Sequence, residues 1–126
     1  GFPVKPPKKP RPLRRGKAFW IVRDAMVWLI TRPATGMLGA MRALPDDGWN
    51  ARADGSGAAP LPGEWLSGGL VRHGFTHFEL ELRVLIHPGP ADPQGEGEWW
   101  PLARLADAGL PTLFTKAALA ARQAAL

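Results

Sequence analysis

Glycine and proline fill 29 of the 126 positions (15 Gly, 14 Pro), and they punctuate the whole chain. Proline removes a backbone donor and glycine raises the entropy cost of ordering, so such a chain cannot be built from long helices. It predicts short strands, many turns and helix only where both residues are sparse. One segment meets that condition: "TLFTKAALAARQAAL", rich in alanine, with Thr112 placed to cap it and Phe114, Ala118, Ala121 and Ala125 on one face.

The strand signal is clearest in "LVRHGFTHFELELRVLIHPG", where Phe78, Leu80, Leu82 and Val84 alternate with Glu79, Glu81 and Arg83. That period of two predicts a strand with one dry and one wet face. "KAFWIVRDAMVWLITRP" predicts a hairpin, Ala18 to Val22 and Met26 to Ile30, turning at Arg23, Asp24 and Ala25. A Gly-punctuated loop and a short strand then lead to Pro45, and 46 to 68 has neither period and reads as loop. "WWPLARLADAGLP" predicts a short strand and a helical turn; Trp99 and Trp100 cannot both enter one core from one strand. Several strands with a C-terminal helix make an α+β sandwich of one domain.

Charge is unevenly placed. Lys5, Lys8, Lys9, Arg11, Arg14, Arg15 and Lys17 give residues 1–17 a charge of +7 with no acid, while the other 9 bases and 11 acids sum to −2. With five prolines in its first twelve residues, 1–17 reads as the tail of an extended interdomain linker, and 18–126 as the domain. A basic run of this kind suits a polyanion, most often nucleic acid; a solvated linker is the plainer alternative. No apolar run approaches the roughly 20 residues that cross a bilayer, and no hydrophobic signal core opens the chain. Both features fit a soluble cytoplasmic protein with no membrane partner.

Catalytic constellations are sparse. The chain has no cysteine, which removes disulfides, thiolate metal sites and cysteine nucleophiles. His73 and His77, four apart on a strand, would lie about 13 Å from each other and could not share an ion. Asp46 and Asp47 adjoin in a turn, Glu79 and Glu81 lie on a wet strand face, and no serine elbow or phosphate-cradling glycine loop occurs. No catalytic and no metal residue is therefore assigned. What remains is Phe75 beside Gly74, flanked by Thr76 and His77: an aromatic in a turn, where it can meet a base stack while its neighbours bond phosphate or base edges.

Four stretches in order, "PKKPRPLRRGKAF", "TRPATGMLGAMRALP", "VRHGFTHFEL" and "LPTLFTKA", resemble the C-terminal domain of the A/G-specific adenine DNA glycosylases, the MutY family. The resemblance spans nearly the whole chain except the middle loop. It implies a Nudix-like fold without hydrolase activity, serving base-excision repair by recognising 8-oxoguanine opposite adenine. In that family an N-terminal domain excises the adenine and holds an iron–sulfur cluster; no cofactor is implied for this chain, whose lack of cysteine and initiator Met fits a start within the linker. The family's Phe-Ser-His lesion loop corresponds to Phe75, Thr76 and His77, with the Thr76 hydroxyl accepting from the N7–H that oxidation creates on guanine. Lys8, Lys9, Arg11, Arg14, Arg15 and Lys17 are then expected on DNA phosphates. Partners implied are duplex DNA carrying 8-oxoguanine:adenine, the N-terminal catalytic domain, and repair or replication proteins reached through the linker, in a nucleoid-associated setting. Departures are the Arg42 in Gly39–Ala40–Met41–Arg42–Ala43, where relatives carry a bulky residue, and a middle segment where relatives often carry a helix. The rivals are a Nudix-type hydrolase of a nucleoside diphosphate derivative, whose clustered R-E-x-x-E-E acids are missing here, and a protein-interaction module built on the Pro/Lys-rich segment.

Overall fold

A computed structural model describes residues 11–125, in the order β1 (Leu13–Trp20), β2 (Val22–Arg23), β3 (Met26–Thr31), β4 (Arg42–Ala43), β5 (Leu66–Gly74), β6 (Glu79–Ile86), β7 (Glu98–Pro101), a 3₁₀ segment (Leu102–Ala108) and α1 (Thr112–Ala124). Two sheets form. In the mixed one, ordered β1-β6-β5, β1 runs parallel and β5 antiparallel to β6. In the antiparallel one, β3 pairs with β2, β4 and β7. The α+β expectation with a C-terminal helix is met. Among the described residues no helix is long and apolar enough to cross a membrane.

The core follows from alternation. Leu80, Leu82 and Val84 of β6 are fully buried, and Leu113, Phe114, Ala117, Ala118 and Ala121 of α1 are buried in the same core cluster. Ala125 lies beyond the helix and is exposed, so it does not join that face. Thr112 is also not the cap: Pro111 occupies that position without a side-chain cap bond, and Thr112 is the first helical residue. Trp99 and Trp100 divide the faces of β7 as expected. Trp99 meets Trp28 edge-on at 5.2 Å, and Trp100 lies under the Arg42 guanidinium at 4.4 Å. Arg42 thus fills a bulky position by stacking, held by Glu98 at 2.7 Å.

Three strand expectations are corrected. The sheet begins at Leu13, inside the segment read as linker, and β1 pairs with β6 over its whole length. The expected hairpin is instead β2 with β3, turning on Asp24 (φ 50°) and Ala25 (φ 60°), the left-handed pair that a two-residue hairpin requires. The longest strand region is likewise two strands: β5 takes in Leu66 to Gly74, and the turn is confined to 75–78. A bulge at Gly68 and Gly69 hides the periodicity of β5. A Cβ on Gly68 would lie 3.0 Å from Val84 and 3.2 Å from Ile86, so β5 closes onto β6 through glycine. Residues 46–65 form no helix.

Candidate functional site

The β5–β6 turn is the element around which the chain's remaining chemistry gathers. The Phe75 N–H donates to the Phe78 carbonyl at 2.8 Å and closes it. Phe75 stacks on Phe78 (4.7 Å, 17° between planes), meets His73 edge-on at 4.8 Å and lies 6.1 Å from the buried Trp49. Its ring is therefore half-buried and packed on the core cluster rather than free in a loop. Thr76 and His77 are exposed at the tip. Phe75, Thr76, His77 and Phe78, with Met37 and Ala51, line a shallow pocket of about 220 Å³. An aromatic floor with a hydroxyl and an imidazole at its rim suits a flat, polar-edged ligand.

Two bases reach this turn and its pocket. Arg11 donates to the Phe75 carbonyl at 2.7 Å and pairs with Glu79 at 2.9 Å. Arg14 donates to the carbonyl of Ala51, in the pocket wall, at 3.1 Å. Lys17 reaches the Gly57 carbonyl, and Arg15 stays largely exposed beside Glu81. Lys8 and Lys9 lie outside the described residues. Of the expected bases, Arg11 thus adjoins the turn and Arg14 its pocket wall, both as struts through backbone carbonyls, while Arg15 and Lys17 bond elsewhere along β1.

Lys116, on α1, approaches His73 Nδ1 at 3.5 Å. Burial first, and then the Lys116 charge, hold the His73 pKa below its ordinary value, so its ring favours the neutral form. The strand spacing once assigned to His73 and His77 does not apply, because the turn separates them. His87 sits at the far end of β6, bonded through Nδ1 to the Gly89 carbonyl at 2.7 Å and edge-on to Trp65.

The carboxylates serve the scaffold. Asp47 accepts the Lys17 N–H through Oδ1 and the Gly57 N–H through Oδ2, each at 2.9 Å, tying the middle loop to β1. Asp46 accepts the Gly48 N–H and pairs with the largely buried Arg32 at 2.6 Å. Burial raises the Asp46 pKa, against the lowering influence of the Gly48 bond and of Arg32. Among the described residues no three His, Asp or Glu side chains gather as a metal site would require.

Sequence reasoning missed Trp49, Met37, Ala51 and Lys116. The first three come from irregular loops, which carry no period to read. Lys116 was signalled: Leu113, Phe114, Ala117 and Ala118 mark the helix's buried stripe, leaving Lys116 on its border.

A family model described as a NUDIX domain matches residues 17–120. No curated protein matches the chain. Among solved structures, the chain is similar to the C-terminal domain of mouse MUTYH in complex with human PCNA, at 17% identity and TM-score 0.64 over 88% of each chain. It is similar to the MutT protein of Methanosarcina mazei, at 19% identity and TM-score 0.66 over 90% of this chain and 96% of that one. It is also similar to a MutT NUDIX hydrolase from Burkholderia pseudomallei, at 19% identity and TM-score 0.60 over 88% of this chain and 97% of that one. Identities this low carry the fold and not the activity.

Proposed function

The chain belongs to the NUDIX domain family, and we propose that it is a DNA-lesion recognition domain of the MutY type rather than a nucleotide hydrolase. The observation that carries this is the β5–β6 turn: an anchored aromatic presents Thr76 and His77 to solvent, and Arg11 is bonded to the turn's own backbone. The clustered R-E-x-x-E-E acids that a magnesium-dependent hydrolase would use are missing from the sequence, and Asp46 and Asp47 are engaged by backbone N–H groups and Arg32. The fold is shared with both the mouse MUTYH C-terminal domain and the MutT proteins, so the turn and the missing acids, rather than the fold, favour this reading.

In this reading the duplex lies on the turn. Guanine N7 is normally an acceptor; oxidation at C8 makes it an N–H donor, and the Thr76 hydroxyl accepts from it. His77 contacts the neighbouring phosphate, and Phe75 holds the turn in shape. Adenine excision belongs to an N-terminal catalytic domain. Repair or replication proteins of the kind seen with mouse MUTYH, which was solved with PCNA, are the partners of the basic segment.

Fluorescence anisotropy of this chain with 8-oxoguanine:adenine and guanine:adenine duplexes tests the assignment. Binding should be weak and salt-sensitive, with a lesion preference that Thr76→Ala reduces by about 1 kcal/mol, roughly fivefold, for one lost hydrogen bond. An unchanged preference in Thr76→Ala would remove Thr76 from the site. Magnesium-dependent turnover of nucleoside diphosphate derivatives would replace the reading with the hydrolase one.

A further inference from the structure

The mixed sheet has two faces, one packed on the core and the other open over most of its length. Leu80, Leu82 and Val84 point to the core, so Glu79, Glu81 and Arg83 point away from it. The register sets their neighbours in rows: Leu13–Glu79–Gly74, Arg15–Glu81–Arg72, Lys17–Arg83–Leu70, then Phe19–Leu85–Ser67. The last row is roofed: Trp65 meets Phe19 edge-on at 5.1 Å, and Phe19 is fully buried. The other rows are open, with the Arg15 and Arg72 side chains 70% and 65% exposed.

This open surface is cationic. Arg11, whose guanidinium would lie 3.5 Å from a Cβ on Gly74, joins Arg15, Lys17, Arg72 and Arg83; against these five stand Glu79, Glu81 and the exposed Asp54, which accepts the Arg15 N–H at 2.9 Å, a balance of +2. Glu81 sits low between two guanidiniums, 3.9 Å from Arg15 and 3.0 Å from Arg72, and only 19% exposed. The outermost charges are therefore positive. From residue 79 to residue 83 the strand spans about 13 Å, enough to face more than one phosphate of a DNA strand.

We propose that this sheet face is a second contact with the same duplex, a track for its sugar–phosphate backbone that begins beside the Phe75–His77 turn and runs over Arg11, Arg15, Arg72 and Arg83. The inference rests on the lesion-recognition reading and adds a sequence-independent contact to it. Arg11 joins the two parts, because one guanidinium holds both the turn's backbone and the first carboxylate of the strip. A row of exposed guanidiniums along a sheet face suits a repeating anion rather than a free nucleotide. It fixes orientation and register and leaves base reading to the turn.

The test is the salt dependence of duplex binding by Arg15→Gln/Arg83→Gln, with Arg104→Gln/Arg122→Gln as a control of equal charge change on other surfaces. All four side chains are exposed, and unchanged circular dichroism spectra verify folding. The slope of log K against log salt should fall by about 1.8 in the first variant, about 0.9 per lost phosphate contact, and stay constant in the control. Affinity should drop equally for lesion and undamaged duplexes, so that the lesion preference is unchanged. An unaltered slope in Arg15→Gln/Arg83→Gln, or an equal fall in the control, overturns the track while the wild type's lesion preference upholds the recognition reading. A wild-type chain without salt-dependent duplex binding overturns both.

Discussion

Truncating Phe75 to alanine separates an anchoring aromatic from a free one. The ring stacks on Phe78 at 4.7 Å, meets His73 at 4.8 Å and faces Trp49 at 6.1 Å, so its loss leaves a void against the core cluster. Removing a fully buried phenylalanine costs about 3–5 kcal/mol. Phe75 is half-buried, which brings the expectation to about 2 kcal/mol, including the roughly 0.5–1.5 kcal/mol that a stacked pair adds beyond its area. For a domain of this length that corresponds to a fall of about 8 °C in Tm, at roughly 4 °C per kcal/mol. Urea unfolding followed by tryptophan fluorescence measures it, with Trp49 as the nearby reporter and an unchanged m-value as the sign that the native state stays compact. Thr76→Ala, an exposed change one residue away, should stay within about 0.5 kcal/mol of the parent. If Phe75→Ala also loses less than about 0.5 kcal/mol, the ring is not packed and the anchored-turn argument fails.

Two further outcomes follow from the scaffold. Asp47→Ala strips the acceptor from the Lys17 and Gly57 N–H groups together, so chemical denaturation should show a loss of roughly 2–3 kcal/mol and faster proteolysis within 47–57; a neutral result would mean the loop is not held by this carboxylate. His73 has a folded-state pKa below its ordinary 6.5, so the unfolded chain takes up the proton first on acidification. Its contribution is fully present above about pH 6.5 and is lost as pH falls toward the folded value. Tm measured across that window should therefore decline more steeply in the parent than in His73→Gln; identical profiles would refute the assignment.

The parts of the fold that could be read in advance are those where one physical signal acted alone. From Phe78 to Val84 burial alternates without interruption, and the alanine-rich end has no competing breaker, so β6 and α1 were visible. In β5 the core-facing positions include Gly68 and His73, and the bulge shifts the phase, so a true strand looked like a lead-in. The turn's polar tip was legible because Thr76 and His77 had no core to serve. Its support was not, since Trp49 arrives from a loop whose position is set by Asp47.

The basic segment shows the same competition most clearly. Its prolines point to an extended linker and its charge to a polyanion, and both overwhelm the weak strand pattern of "LRRGKAFW", whose core-facing residues include a glycine. Yet that glycine is required: a Cβ on Gly16 would lie 2.3 Å from Trp49 Cδ1, so the indole can pack across β1 only where no side chain stands. β1 in turn supplies the parallel partner of β6 and the backbone groups that bond Asp47 and Gly55. Deleting residues 1–17 would thus remove the first five residues of β1, uncover Trp49 and free the middle loop, and a loss of DNA binding would combine unfolding with lost charge. Arg14, Arg15 and Lys17 lie on β1, in register with β6, and Arg11 is bonded to the β5–β6 turn, so the contribution of these four bases has to be measured by substitution of single side chains rather than by truncation.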